Sequence, residues 1–242
     1  MHIYFLKDIL FEYCSNKQKE VIEKYKKVKE IKTKIKKYEQ KIDSLNIELS
    51  DLFDYQNNKF KDITIDKIFD LTIRTNDSKF TKKFINKHEG DIPVYGASKD
   101  KNATIGKVKN NLNGVKYFEN CLTLNIIGST GKVFYRKERF SLTGNAIPLI
   151  IKSIYKDWLD ENYLKYILED ELRIQNFGII YESVGKNKIR NVKIKIPTTS
   201  SSEFDIVKQR EIADKYHKIE EIKKTIKAEL KKIENIKIDI GI

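Results

Sequence analysis

Cysteine, proline and histidine are scarce in this sequence, and each scarcity limits what the chain can be. The two cysteines, Cys14 and Cys121, are far apart and form no Cys-x-x-Cys pair. A structural zinc site or a disulfide framework is therefore not expected, and a reducing cytoplasm suits the chain. The three histidines, His2, His88 and His217, are scattered and form no catalytic constellation. We predict neither a cofactor nor a metal.

Long apolar runs and catalytic motifs are also missing. The amino-terminal stretch contains Lys7 and Asp8 and is too short and too charged for a signal peptide or a membrane span. The glycine-rich stretch 128–133, GSTGKV, is not a P-loop, because Ile126 and Val133 stand where that motif needs a glycine and a serine or threonine. We interpret it as a tight turn, which could still bring backbone N–H groups and Lys132 close to a phosphate.

Positive charge is in excess, with a formal net charge of +13. A basic balance suggests a polyanionic partner, and nucleic acid is the first candidate. The excess is spread along the chain, however, so a generally lysine-rich, solvated surface explains the total equally well.

A lysine-rich segment occurs twice. Residues 17–42 and 208–233 align without a gap at a constant offset of 191, and 13 of the 26 positions are identical. Their apolar residues recur at steps of three or four, which predicts two long helices, over 17–53 and from about 204 to 238, each with one narrow apolar stripe. Because a single helix would leave its stripe in water, we expect the two helices to pair antiparallel.

A β-rich domain is predicted between the two copies. Short apolar segments separated by glycine and asparagine turns indicate strands at 90–98, 103–108, 114–120, 122–128, 132–140 and 146–152. A helix is predicted over 157–175 with Asp157 as its N-cap, and the alternation in 192–196 predicts a further strand, which Pro197 ends. The fold class is thus α+β, with one β-rich domain on a long antiparallel two-helix, coiled-coil stalk. The expected divisions are 1–16, of uncertain structure, 17–55, 56–200 and 201–242.

The order of these segments resembles the specificity subunit of Type I restriction–modification systems. The resemblance rests on LSDLF (49–53), GDIPVYGAS (90–98), GSTGKVFY (128–135), SVGKNKIRNVKIKIP (183–197) and KQREIADKYHKIEE (208–221). Pro197, Gln209, Ile212 and Ala213 match the family's transition from recognition domain to helix. The family typically has two recognition domains and two helical segments, whereas this chain has both helical segments and one domain. The missing unit would precede Lys17.

The resemblance implies a non-catalytic, sequence-specific subunit that reads one half of a bipartite site in double-stranded DNA. Its expected partners are DNA methyltransferase subunits and a restriction motor-nuclease subunit, and a homodimer through the long helices would restore a bipartite target. Consistently, the Asn-Pro-Pro-aromatic motif of adenine methyltransferases is missing from the sequence. Two alternatives stay open: a recognition domain detached from a restriction or methyltransferase enzyme, and a coiled-coil adaptor that binds protein and not DNA.

Basic loops with nearby amides and aromatic rings indicate where DNA would bind, since lysine and arginine contact phosphates while arginine, asparagine and serine read base edges. The predicted DNA-binding residues are Tyr95, Ser98, Lys99, Lys101, Ser129, Thr130, Lys132, Arg136, Arg139, Asn145, Ser183, Lys186, Lys188 and Arg190.

Overall fold

The computed structural model describes residues 2–44, 59–177 and 183–234. The chain forms two compact units: Met1–Ile47 with His217–Ile242, and Glu48–Tyr216.

The two repeat copies are helical throughout. Helix α1 spans His2–Ser44 and helix α6 spans Ile206–Glu234. Helix α1 thus includes residues 2–16, for which the sequence made no prediction, while the predicted helix ends near 53 and 238 lie outside the described residues. Ile35 is buried, but Tyr25, Ile31 and Tyr38 of the same predicted stripe are exposed.

The second unit contains nine described strands and four short or medium helices. The strands are β1 Lys59–Thr64, β2 Ile92–Tyr95, β3 Gly106–Val108, β4 Tyr117–Phe118, β5 Cys121–Asn125, β6 Val133–Arg136, β7 Phe140–Leu142, β8 Ala146–Leu149 and β9 Lys193–Thr198. The helices are α2 Ile65–Ile68, α3 Lys82–Lys87, α4 Glu161–Ile174 and α5 Lys186–Arg190, with a 3-10 helix at Ser153–Tyr155.

These strands form three sheets. Strands β1 and β9 pair antiparallel, which joins the beginning and the end of the domain. A four-stranded sheet has the order β3-β2-β7-β4, in which only β2 and β7 are parallel, and an antiparallel three-stranded sheet has the order β6-β5-β8. The α+β class predicted from the sequence is confirmed.

Helix α4 packs against β5, β6 and β9 and forms the larger of two hydrophobic cores. Tyr163, Leu164 and Leu168 of α4 are fully buried there, and each large apolar side chain removed from water contributes about 1.5–3 kcal/mol. Ile212 and Ala213, at the start of α6, belong to the same core. The smaller core surrounds Phe118, Cys121, Phe140, Leu142 and Ala146 in and beside the four-stranded sheet.

Asp160, not Asp157, caps helix α4. Its side chain accepts a hydrogen bond from the backbone N of Tyr163 at 3.0 Å. The prediction of Asp157 was wrong because the 3-10 helix extends as a turn to Trp158, whose N–H donates to the oxygen of Tyr155. Leu159, which the sequence placed inside the helix, is buried in the core ahead of it.

The predicted strand 132–140 is also wrong, because it consists of two strands in different sheets. Strand β6 pairs with β5, whereas β7 joins β2 and β4. The exposed Lys137 and Glu138 lie at the break. The apolar residues on both sides read as one run in the sequence, which carries no signal for a change of sheet. The predicted strands 103–108 and 114–120 shorten to β3 and β4.

Candidate nucleic-acid interface

Loop 96–105 connects β2 to β3 and is bound to the end of β5. The Nδ2 of Asn125 donates a hydrogen bond to the carbonyl oxygen of Ser98 at 2.8 Å, which joins the three-stranded sheet to a loop of the four-stranded sheet. Within the loop, the Ser98 hydroxyl accepts from the N–H of Asp100, and the Asp100 carboxylate accepts from the N–H of Asn102. These turns hold Lys99 and Lys101 on the surface, where both are exposed.

The stretch 128–131 is the tight turn that the sequence predicted. Gly128 and Gly131 have φ angles of 83° and 86°, a region that favours glycine because it has no Cβ. The N–H of Gly131 donates to the oxygen of Asn125 at 3.0 Å. Thr130 is buried and its hydroxyl donates to the oxygen of Gly128, so the turn presents Ser129 and its own backbone rather than the threonine side chain.

Two further segments lie beside this turn. In the turn 143–145, the N–H of Thr143 donates to the oxygen of Tyr95, and the oxygen of Asn145 accepts from the N–H of Ile126. Ser183 forms a β-bridge with Ile127. The structure therefore brings together loop 96–105, the stretch 126–131, the turn 143–145 and the segment 183–185, which we name the loop cluster.

The loop cluster collects half of the residues predicted to bind DNA: Ser98, Lys99, Lys101, Ser129, Thr130, Asn145 and Ser183. Asn145 and Ser183 are exposed, as the two lysines are. The arrangement offers cationic groups for phosphates and amide and hydroxyl groups for base edges on adjoining loops.

Lys132 follows the turn directly and is half exposed. Its Nζ lies 3.6 Å from Oε1 of Glu169 on α4, and the same oxygen accepts from the N–H of Val133 at 3.1 Å. An ion pair whose lysine is half exposed to water is worth about 0–1 kcal/mol. Lys132 can therefore exchange the carboxylate for a phosphate at little cost.

Positive charge accumulates around Lys101. Although the side chain is exposed, surrounding protein atoms displace part of its water, and this desolvation and the nearby charge of Arg136 lower the pKa of Lys101, with smaller contributions from Lys165 and Lys137, while Glu138 acts in the opposite direction. A cation whose neighbours are mostly cations is stabilised when an anion arrives.

Arg136 lies in the interior beneath loop 96–105, against the partly buried ring of Tyr95. Arg136 is 7% exposed, and its guanidinium carbon is 3.4 Å from the centroid of the Tyr95 ring. Nη1 of Arg136 donates to the oxygen of Lys101 at 2.7 Å. Both residues were predicted to contact DNA. In the structure, the guanidinium of Arg136 bonds to the backbone of the loop that carries Lys99 and Lys101, and Tyr95 is partly buried beside it.

Arg139 is separate from the loop cluster. It follows the end of β6 that is remote from the turn 128–131. There it bonds to Asn111 at 3.2 Å and lies 3.9 Å from Glu119 and 5.1 Å from the centroid of the Tyr117 ring.

The basic segment that follows Ser183 forms helix α5. Ile189 anchors this helix in the larger core, while Lys188 and Arg190 are exposed. Lys186 is the first residue of α5.

Asn125 is the residue of this region that sequence reasoning missed. It is 2% exposed and connects the turn 128–131 to loop 96–105. The only signal was an asparagine inside the largely apolar run 122–127, which equally marks the end of a strand.

Among the residues that the structure describes, no group of three or more His, Cys, Asp or Glu side chains could hold a metal ion. Over the same residues, no helix is both long and apolar enough to cross a membrane.

Comparison with known proteins identifies the family. The model of the "Type I restriction modification DNA specificity domain" matches residues 57–235. No curated protein sequence matches. A chain in a structure described as showing "complex assembly" and "conformational transition of the type I R-M system" is 14% identical, with a TM-score of 0.61 over 89% of this chain. The HsdS subunit from Thermoanaerobacter tengcongensis is 14% identical, with a TM-score of 0.53 over 89% of this chain.

These two solved chains share the fold, and the chain spans about half of their lengths, 55% and 54%. The family match itself extends over most of the chain and includes the whole loop cluster. The chain therefore belongs to the family of Type I restriction–modification DNA specificity domains.

Proposed function

We propose that this chain is a sequence-specific double-stranded DNA recognition subunit of a restriction–modification complex and that it carries out no chemistry itself. The observation that carries the proposal is the loop cluster, in which segments distant in sequence present Lys99, Lys101, Asn145 and Ser183 on one surface. Membership of the specificity-domain family supports DNA, rather than another polyanion, as the ligand of this surface.

The exposed cations would bind phosphates, and the polar groups would read bases. Lys99, Lys101 and Lys132 are the proposed phosphate contacts, because their ammonium groups are exposed or held only by weak ion pairs. Asn145 and Ser183 are the proposed base-reading groups, since exposed amides and hydroxyls can bond to base edges in the major groove. Helix α5, with Lys186, Lys188 and Arg190, would extend the phosphate contacts.

The long helices would form the spacer and the partner-binding element. We propose that α1 and α6 pair antiparallel, because both carry the same apolar stripe and both connect to the ends of one domain. Some residues of these same stripes are exposed in the single chain, so the stripes retain apolar surface for a further partner: Tyr25, Ile31, Tyr38, Ile222 and Ile226. That partner would be a methyltransferase subunit, with a restriction motor-nuclease subunit joining the complex, or a second copy of this chain that supplies the other half of a bipartite site.

Selection from duplexes with a randomised core tests DNA recognition. We expect a short motif to be enriched, and affinity to fall with salt. Three phosphate contacts would weaken binding about 40-fold between about 50 and 200 mM salt. An unenriched pool, or binding that does not respond to salt, would reject the proposal.

Sedimentation equilibrium tests the helix pairing between chains. A homodimer would have twice the chain mass of 28.5 kDa. Replacing Tyr25 and Tyr38 together with glutamate should return it to the monomer mass, because charged groups on the stripe oppose burial. A wild-type chain that sediments as a monomer at all concentrations, and does not co-purify with a methyltransferase subunit, would contradict the proposed role of the helices.

A further inference from the structure

Two buried polar side chains of the three-stranded sheet bind loop 96–105. Asn125, the last residue of β5, donates to the oxygen of Ser98 at 2.8 Å. Arg136, the last residue of β6, donates to the oxygen of Lys101 at 2.7 Å. The two carbonyl groups flank Lys99, so the backbone that carries both loop lysines is fixed on either side of it.

Arg136 occupies a site built for its planar guanidinium. The guanidinium carbon lies 3.4 Å from the centroid of the Tyr95 ring and 5.3 Å from that of Phe134. Nε donates to the hydroxyl of Thr123 at 3.3 Å. Arg136 thus joins its own sheet to Tyr95 of the four-stranded sheet, and it connects both sheets to the loop.

The charge of Arg136 is not neutralised by an acid. In the described part of the chain, no carboxylate forms an ion pair with it, and burial lowers its pKa. A hydrophobic side chain of similar volume would fill such a site without the cost of burying a charge. The contacts that offset this cost are the ring of Tyr95, the hydroxyl of Thr123 and the loop carbonyl, and only an arginine makes all three.

We propose that Arg136 and Asn125 are positioning residues for DNA recognition: they do not contact DNA, and they hold loop 96–105 so that Lys99 and Lys101 meet the phosphates in one register. This inference rests on the proposed function and adds the residues that turn phosphate binding into sequence selection. Phosphate contacts from a fixed loop set the register of the base-reading groups, whereas a mobile loop would bind any sequence in several registers.

Arg136→Met and Asn125→Leu test the proposal in the full chain. The measurement is the ratio of the affinity for the selected duplex to the affinity for a scrambled one, taken well below the unfolding temperature of each variant. We expect the ratio to fall about tenfold in each variant, with the affinity for the scrambled duplex within about twofold of the wild type. Hydrogen exchange of the amides in 97–104 should become faster in the absence of DNA.

Arg210→Met is the matched control. Arg210 is exposed on the first turns of α6 and pairs with Asp160, so this variant loses the same charge without touching the loop. Its ratio and its loop exchange should equal those of the wild type. Arg136→Lys, which keeps the charge but not the planar stack on Tyr95, should behave like Arg136→Met.

Each outcome decides. A wild-type affinity ratio or wild-type loop exchange in Arg136→Met would overturn the proposal, as would an equal loss of the ratio in Arg210→Met. If Arg136→Met does not fold, Asn125→Leu decides by the same criteria, because it removes one hydrogen bond and no charge. If the wild-type chain selects no DNA sequence, the proposed function is rejected and this inference with it. If the wild-type chain selects a sequence and the variants keep its affinity ratio, only the positioning role is rejected.

Discussion

The side chain of Gln209 forms hydrogen bonds with the backbone of Trp158 and of Asp160, the residues on either side of Leu159. Its Nε2 donates to the carbonyl oxygen of Trp158 at 3.0 Å. Its Oε1 accepts from the N–H of Asp160, also at 3.0 Å. Gln209 is fully buried. The start of α6 is therefore bound to the segment that leads into α4. Further along both helices, the ring of Tyr216 contacts the ring of Tyr166, with centroids 4.5 Å apart.

Gln209→Ala should lower the free energy of unfolding by about 1–3 kcal/mol, because two partly buried backbone groups lose their partner. Urea denaturation measures this. The repeat provides a matched control, since Gln18 occupies the same position in the first copy and is exposed. Gln18→Ala should change stability by no more than about 0.5 kcal/mol. Equal effects of the two substitutions would show that the hydrogen bonds of Gln209 do not anchor the helix.

Replacing Lys99, Lys101 and Lys132 together with glutamine should weaken DNA binding for every duplex. If each lysine contacts one phosphate, the slope of log affinity against log salt should become shallower by about 2.7. Fluorescence anisotropy over a salt series measures the slope. The control replaces Lys218, Lys224 and Lys231, which are exposed on α6, and should leave the slope unchanged. An equal loss in the control would mean that net charge, and not the loop cluster, drives binding.

Replacing Lys186, Lys188 and Arg190 together with alanine should also weaken binding. The substitutions leave the buried Ile189 in place, so the fold of α5 on the core should persist. We expect a loss of about tenfold at moderate salt, in a gel shift that uses the selected duplex. Unchanged affinity would remove helix α5 from the DNA-binding surface.

Cys121 should be unreactive in the native protein. Burial raises the pKa of its thiol from 9.0 to about 12, so the thiolate that reacts with disulfide reagents is hardly populated at pH 8. In a Cys14→Ser background, labelling should require unfolding and should follow its rate. Rapid labelling of the folded chain would contradict the burial of Cys121.

The same pKa shift predicts how stability changes with pH. The thiol is neutral in both states below pH 9.0, so the shift has no effect there. Above that value the unfolded thiol ionises while the native one does not until about 12. The native state should therefore lose up to about 1.4 kcal/mol per pH unit in this window, and Cys121→Ala should abolish that contribution. Urea denaturation between pH 8 and 10 measures it.

The burial of Arg136 could not be predicted from the sequence. Its neighbours Lys132, Lys137 and Arg139 form one basic run, and in the sequence all four look equally available to a phosphate. The strand pairing buries Arg136 under Tyr95, exposes Lys137 and moves Arg139 to the far end of the strand. Alternation along a strand assigns a side chain to one face of the sheet, but it does not say what will cover that face.

The sequence by itself determined the features that depend on local patterning. The three- and four-residue steps of the apolar residues specify the helices, glycine at positive φ specifies the turn 128–131, and the ordered segments identify the family. Only the tertiary structure decided which loops meet, because β2 and β7 pair across a long stretch of chain and the loops 96–105 and 143–145 meet as a result. Tertiary packing also buried Asn125 and Arg136 against loop 96–105, since burial is a property of the neighbours in space and not of the neighbours in sequence.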